Sequence, residues 1–271
     1  MRPVDQTALD AEASSGTADV ARAQVASGVD VINGGEQSRV SFSTYVTQRI
    51  SGFGGSWDRR IQRDQNELPS VARPRVVQLM RVPMCVGPLS YERLDIAENE
   101  CDVLLRTANE SQAKPQELVM TAASPGIIAL TLKNNHYPSY EDYVFALADE
   151  MRQEYKLIVS RGLVLQLDCP DLAMERHMSY QDEPLDVFQD LVRLHIRAIN
   201  HALQNIPREQ VRLHVCWGNS EGPHHYDVSL EVILPLLYEA RVGALVMEMA
   251  TLVTPTNTRS IKNTRCLRKC C

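Results

Sequence analysis

The residues best suited to chemistry are His214 and Cys216, which are separated by one residue in the segment VRLHVC. On a β-strand, residues i and i+2 point to the same side, so both side chains can face one metal ion. Zinc suits such a mixed set of imidazole and thiolate ligands. The motif alone is weak, because a core cysteine beside a hydrogen-bonded histidine is the commoner arrangement. Glu248 ends the next predicted strand and strengthens the interpretation as a metal site.

Two further acids lie at the ends of predicted strands. Asp168 closes the apolar segment LVLQLDCP, where a carboxylate could anchor an ammonium group, take part in proton transfer or cap a helix. Glu36 lies in GGEQSR, and its glycines let a substrate approach the backbone closely. His224 and His225 are rival metal ligands, which we interpret as loop residues that shape a substrate pocket.

Other classes of function find no support in the sequence. The chain has 271 residues, 44% of them hydrophobic, and a formal net charge of −6, which argues against a nucleic-acid surface. No GxGxxG or GxxxxGK[ST] phosphate loop occurs, and Ser124 in AASPG lacks the GxSxG pattern of a hydrolase nucleophile. The chain shows no signal peptide, no apolar run long enough to span a membrane and no disulfide-like spacing of its seven cysteines. We therefore expect a cytoplasmic protein that binds no membrane.

Apolar, strand-like runs alternate with segments of helical period, a pattern typical of β/α units around a parallel sheet. Strands are predicted at residues 29–32, 76–80, 118–121, 163–167, 211–216 and 242–249. Helices are predicted from Thr17 or Asp19 to Gly28 and over residues 96–108, 141–160, 186–203 and 228–240, with residues 51–75 as a polar excursion. Polar residues recur at the ends of the strands, where β/α barrels carry their active sites: Glu36, Ser124, Asp168, His214, Cys216 and Glu248.

With these residues in place, the chain resembles the C-terminal-type catalytic domain of the cobalamin-independent methionine synthase family. It is most similar to the short stand-alone branch that includes epoxyalkane:coenzyme M transferases. The segments that carry the resemblance are GVDVINGGEQSR, MTAASPGIIA, GLVLQLDCPDLA, HVCWGNSEGPHH and GALVMEMA, within residues 17–250. The resemblance implies a (β/α)8 TIM barrel in the α/β class.

The resemblance also implies a set of site residues. Zinc would be held by His214, Cys216 and Glu248, while the family's fourth ligand, a second cysteine, has no match here. Glu36 and Asp168 would hold the amino group of a homocysteine-like thiol. The implied reaction is methyl transfer from a methylated folate to that thiol in methionine biosynthesis, and no residue is identified as the general acid.

The chain departs from the family pattern at both ends. It starts after the family's first strand, and after Glu248 the segment TLVTPTNTRSIKNTRCLRKCC replaces the family's Asn-Pro-Arg-His stretch. With suitable codon choice, the nucleotides that encode this segment would give a family-like sequence if they were read one base earlier. We therefore expect a single, incomplete barrel domain over residues 1–250 and a frameshifted, disordered tail over residues 251–271. A genuinely divergent tail is the alternative.

Three functions remain open from the sequence. The first is zinc-dependent methyl transfer to a thiol, and the second is alkyl transfer from an epoxide to a thiol such as coenzyme M. The sulfonate of coenzyme M should prefer basic partners, whereas an aminothiol should prefer the acids Glu36 and Asp168. The third possibility is a truncated, non-catalytic remnant.

Overall fold

The computed structural model describes residues 5–67, 81–110, 114–219 and 224–249. Its helices are α1 (Gln6–Ala26), α2 (Arg63–Glu67), α3 (Leu94–Glu110), α4 (Pro125–Thr131), α5 (Tyr140–Ser160), α6 (Leu185–Ala202) and α7 (Leu230–Leu237). Its strands are β1 (Val31–Ile32), β2 (Ile50–Asp58), β3 (Arg81–Tyr91), β4 (Glu117–Ala123), β5 (Val164–Asp168), β6 (Val211–Val215) and β7 (Ala244–Met247).

Five strands form a parallel sheet in the order β1-β4-β5-β6-β7, with helices between successive members from β4 onward. This arrangement confirms the predicted α/β class. The register places Asp168 on β5 opposite His214 on β6, and Val215 on β6 opposite Met247 on β7. The carboxyl ends of three neighbouring strands therefore meet at one edge, which is the edge that carries the predicted site.

Side chains of β5 and β6 alternate strictly between two environments. Leu165, Leu167, Leu213 and Val215 are fully buried in the core that also contains the apolar sides of α5 and α6. The residues between them are only partly buried and are mostly polar. Because successive side chains on a strand point to opposite faces, burying the leucines brings the polar set together on the inner face of the sheet.

Helix α5 begins and ends at residues that favour helix termini, whereas α1 does not begin where the sequence predicts. Ser139 caps α5 by accepting a hydrogen bond from the Asp142 backbone N–H at 3.0 Å, and α5 is followed by Gly162 with φ of 77°. Helix α1 is longer than the sequence pattern indicates. Asp5, not Thr17 or Asp19, is its cap, and Thr17 lies inside it with its hydroxyl bonded to the Ala13 carbonyl.

The predicted polar excursion over residues 51–75 is wrong in its first part. Strand β2 occupies that stretch and pairs antiparallel with β3, which contains Pro83 and Pro88. This ribbon has only two strands and contains register shifts, so it tolerates residues that a central strand would reject. Gly52, with φ of 95°, is required by close approach, since a Cβ there would lie 2.5 Å from the Pro88 carbonyl oxygen. The strand predicted at residues 76–80 lies outside the described residues.

Helix α4 was not predicted. Ser124 accepts a hydrogen bond from the Ile127 backbone N–H at 3.1 Å, and Pro125 follows at the first helical position. That pair is a standard signal for the start of a helix, and the brevity of the helix hid it. No helix in the described part of the chain is long and apolar enough to cross a membrane.

Candidate metal and substrate site

The inner face of β5 and β6 carries a continuous chain of polar contacts. Arg212 Nε donates to Gln166 Oε1 at 2.7 Å, and Gln166 Nε2 donates to Asp168 Oδ1 at 2.8 Å. His214 Nδ1 lies 3.0 Å from the same Asp168 oxygen. Asp168 and His214, which the sequence assigned to different parts of the site, are thus direct partners. The side chain of His214 is 31% exposed and that of Asp168 is 13% exposed, so both can be reached from the open side of the sheet.

Cys216 follows β6 directly and is partly buried. Burial raises the pKa of its thiol to about 11, with Glu248, Asp168 and Asp171 adding to the effect and the Gly218 backbone N–H opposing it. The thiol is therefore protonated at neutral pH in the metal-free protein. A bound cation would reverse that preference, because a coordinated thiol loses its proton.

Glu248 lies one residue beyond β7, next to Cys216. The register brings them together, since Val215 and Met247 are paired and the next residue on each strand is the candidate ligand. Burial raises the pKa of the Glu248 carboxyl, while His214, the Trp217 backbone N–H and His224 lower it. The carboxylate is therefore held against the Cys216–Trp217 peptide and within electrostatic reach of His214.

The candidate ligands fit zinc in their chemistry and in their places on adjacent strands. Imidazole, thiolate and carboxylate are the donors that zinc takes in proteins. The Nδ1 contact of His214 to Asp168 leaves Nε2 for a metal, the arrangement that carboxylates commonly impose on metal-binding histidines. Within the described residues, however, no three His, Cys, Asp or Glu side chains converge closely enough to enclose an ion. The assignment of His214, Cys216 and Glu248 as ligands stays a prediction.

Glu36 lies beyond β1 in a left-handed backbone conformation, with φ of 55°. Its Oε1 accepts a hydrogen bond from the Thr121 hydroxyl of β4 at 2.6 Å. It lines a cavity of about 850 Å³ between α1, α3 and β4, and Asp168 does not line that cavity. The cavity extends to Thr121 on β4, which is paired in register with Gln166 on β5. It therefore ends one strand away from Asp168 and does not connect Asp168 with Glu36. That Glu36 and Asp168 bind the same substrate group stays a prediction.

Two histidines that the sequence did not place together share one carboxylate. His177 Nδ1 lies 2.6 Å from Asp227 Oδ1, and His224 Nδ1 lies 3.0 Å from Asp227 Oδ2. Burial raises the pKa of the Asp227 carboxyl, but the two histidines outweigh it and the pKa is lowered. His225 is exposed and contacts Glu67 instead. His224 is therefore a buried wall residue near Glu248, whereas His225 faces outward.

A second buried network lies beneath the site. Ser124 Oγ donates to Asp171 Oδ1 at 2.8 Å, His195 Nδ1 lies 2.7 Å from Asp171 Oδ2, and the Tyr140 hydroxyl lies 2.9 Å from His195 Nε2. Ser124, Asp171 and His195 are all buried. The serine contacts the acid rather than the histidine and caps α4, so the network is no nucleophilic triad. It fixes the loop after β5 against α5 and α6.

A third network joins the β1 side of the sheet to α3 and α5. Arg39 and Arg49, each only 2% exposed, both reach Glu100, at 2.9 and 2.6 Å. Arg49 also contacts Glu154, which is fully buried and accepts a hydrogen bond from the Tyr45 hydroxyl at 2.8 Å. Arg39 also donates a hydrogen bond to the carbonyl of Thr121 on β4, whose hydroxyl binds Glu36. The network is therefore connected to the residues around Glu36.

Comparison with known proteins identifies relatives of one kind. No protein-family model matches the chain. Methionine synthase of Sulfolobus acidocaldarius is 26% identical over 218 residues, covering 79% of this chain and 54% of that protein. Methionine synthase of Pyrococcus horikoshii is 28% identical over 201 residues, covering 74% of this chain and 50% of that protein. The chain spans about half the length of these curated relatives.

Two solved structures share the fold. A B12-independent methionine synthase from a Shewanella species, in complex with selenomethionine, superposes with a TM-score of 0.70 at 18% identity, covering 96% of this chain and 70% of that one. A putative vitamin-B12-independent methionine synthase from Listeria monocytogenes gives a TM-score of 0.52 at 16% identity, covering 76% of this chain and 55% of that one. This likeness confirms the predicted barrel-type fold, of which the described strands form a curled part.

Proposed function

We infer that this chain belongs to the cobalamin-independent methionine synthase family, and we propose that it takes part in zinc-dependent methyl transfer to a thiol. The observation that supports the proposal is the position of His214, Cys216 and Glu248 at the carboxyl ends of two adjacent parallel strands, where the register makes them neighbours. The implied thiol is homocysteine-like and the implied methyl donor is a methylated folate.

The proposed zinc ligands are His214 through Nε2, Cys216 through its sulfur and Glu248 through its carboxylate. Bound zinc would lower the pKa of a substrate thiol and so provide a thiolate at neutral pH. The protein residues orient this centre. Asp168 fixes the ring of His214 through Nδ1, and the Trp217 backbone N–H holds the carboxylate of Glu248.

Asp168 and Glu36 are proposed to bind the amino group of the thiol substrate. Asp168 is the better supported of the two, because it lies beside His214 and is partly exposed. If the substrate's ammonium group binds Asp168, its thiol can reach the proposed metal ligands on β6 and β7, because Asp168 lies beside His214. Glu36 opens onto a separate cavity, so its role requires a substrate that extends along the inner face of β4.

The methyl transfer also needs a proton donor. A thiolate that attacks the N5-methyl group forms an S–C bond while the C–N bond breaks, and its electron pair stays on N5. A tertiary amine leaves poorly unless it is protonated, so a general acid must act on N5. We assign no residue to this role. Transfer to a thiol from an epoxide, which opens to an alcohol, is the alternative that shares the same metal ligands.

The metal content of the purified full chain tests the proposal. We expect about one zinc per chain by elemental analysis. His214→Ala should lower zinc affinity by more than about 10- to 100-fold, the loss that follows when a residue that only orients a ligand is replaced. His136→Ala, which removes an exposed histidine distant in sequence from the ligands, should retain zinc. Zinc-free wild type, even after incubation with excess metal, would contradict the proposed function and favour a non-catalytic remnant. If the chain binds zinc, activity assays with a methylated folate and with an epoxide distinguish the two proposed enzymatic functions.

A further inference from the structure

The polar contacts on the inner face of β5 and β6 end at Asp168, where one carboxylate oxygen accepts no hydrogen bond from the residues that the structure describes. Asp168 Oδ1 is in contact with both Gln166 Nε2 and His214 Nδ1. No residue that the structure describes donates a hydrogen bond to Oδ2. A carboxylate has acceptor positions on both oxygens, so the second oxygen is the one left for a ligand.

The orientation of Gln166 determines which oxygen is left. An amide side chain can turn over and exchange its oxygen and nitrogen, which would place its oxygen against the carboxylate of Asp168. Arg212 prevents this exchange, because its Nε–H donates to Gln166 Oε1 at 2.7 Å and accepts nothing. The amide nitrogen therefore points to Asp168.

We propose that Gln166 and Arg212 are positioning residues, which hold Asp168 so that Oδ2 receives the ammonium group of the thiol substrate. The inference rests on the proposed function for the identity of that ligand. Gln166 and His214 occupy one oxygen of the carboxylate, and Arg212 fixes Gln166. The same contacts hold the imidazole of His214 with Nε2 directed away from Asp168. One carboxylate thus links the substrate amine to the proposed metal centre.

Burial supports the assignment of a positioning role to Arg212. A partly buried cation is costly unless it is paired or hydrogen-bonded, and Arg212 donates such a hydrogen bond to Gln166. Its Nε contact is to the neutral side chain of Gln166 rather than to a carboxylate, so the guanidinium is placed to orient an amide.

Binding of two thiols to the zinc-loaded full chain, measured by calorimetry, tests the proposal. One thiol carries an α-amino group and the other is the same compound without it. Gln166→Ala and the near-isosteric Gln166→Glu should each weaken the aminothiol about 10- to 100-fold, because a hydrogen bond to a charged group is lost. In both variants the thiol without the amino group should lose much less affinity than the aminothiol, whereas a merely structural role would weaken both thiols equally.

A double-mutant cycle tests whether Arg212 acts on Asp168 through Gln166. Arg212→Met should weaken the aminothiol in the wild-type background and have no further effect in Gln166→Ala, since Arg212 acts through Gln166. Gln204→Ala, an exposed glutamine before β6, is the matched control and should change neither thiol. Equal losses for both thiols, or additive effects of the two substitutions, would overturn the proposal.

A second readout separates failure of this inference from failure of the proposed function. The side-chain amide resonances of Gln166 report its hydrogen bonds by NMR without substrate or metal. Arg212→Met and Asp168→Asn should each shift them, while Gln204→Ala should not. If these resonances shift but wild type binds no thiol, the proposed methyl-transfer function is refuted, and so is the binding of an ammonium group by Asp168. The positioning of Asp168 by Arg212 and Gln166 would still be supported. If the shifts do not occur, the positioning chain is refuted whatever the chain binds.

Discussion

Glu100 offers the clearest quantitative prediction, because a buried carboxylate there is held between two buried guanidinium groups. Burial raises the pKa of Glu100, but Arg39 and Arg49 more than offset it, and the pKa falls from 4.5 to about 2. A carboxyl pKa that folding lowers from 4.5 to about 2 contributes about 3 kcal/mol of stability. Removing one partner from a buried ion pair costs a similar amount, about 3–5 kcal/mol. Glu154 and Glu36 still compensate the arginines, so we expect the lower value for Glu100→Gln.

The sign of the effect gives a pH dependence. A carboxyl whose pKa is depressed on folding contributes its full stability above pH 4.5, and that contribution is lost as pH falls toward 2. Urea denaturation at a series of pH values should therefore show a difference between wild type and Glu100→Gln of about 3 kcal/mol at pH 7. The difference should shrink steadily below pH 4.5.

Glu98→Gln is the matched control on the same helix. Glu98 is 46% exposed and lies 3.7 Å from Arg161, so its loss should change the free energy of unfolding by less than about 1 kcal/mol. The reasoning is refuted if Glu100→Gln costs no more than this control at pH 7. A cost that stays constant down to pH 3 would refute it in another way, since it would reflect lost packing rather than lost charge.

Two further substitutions test the buried networks. Gly126→Ala should destabilise the fold by about 1–3 kcal/mol in thermal unfolding, because the added Cβ would collide with Asp171 Oδ2 and the ring of His195. Wild-type stability would show that the loop after β5 moves to make room. Tyr45→Phe removes the hydroxyl that donates to Glu154 and accepts from the Ala123 backbone N–H. It should cost about 1–3 kcal/mol in urea denaturation, and a neutral result would mean that water replaces the hydroxyl.

The long amphipathic elements could be predicted from the sequence because packing and local pattern agree in them. Helix α5 was predicted to within one residue at its start, since its apolar residues recur on one face. Helix α1 was predicted too short, because most of its side chains are exposed and its first half carries no apolar stripe to read. Its start depends on Asp5, which looks like any other surface acid in the sequence.

The contacts within the site could be predicted only as far as the strands bring them together. The spacing of His214 and Cys216 predicted that both lie at the end of β6. Glu248 was predicted as their neighbour because it ends the next strand. The contact of Asp168 with His214 depends on the register between β5 and β6, which the spacing along one strand does not fix. The cluster of His177 and His224 on Asp227 joins loops some fifty residues apart, so no local pattern reveals it.

The fold and the proposed site are linked through the two-residue period of β5 and β6. The alternation that buries Leu167 and Leu213 on the outer face is what brings Gln166, Asp168 and His214 together on the inner face. A shift of one residue in either strand would expose the leucines and bury the polar set, so the core enforces the geometry of the site. Substitutions on the outer face should therefore lower stability and the occupancy of the site together. Substitutions on the inner face should change binding while the fold persists, because the leucines that hold the register remain.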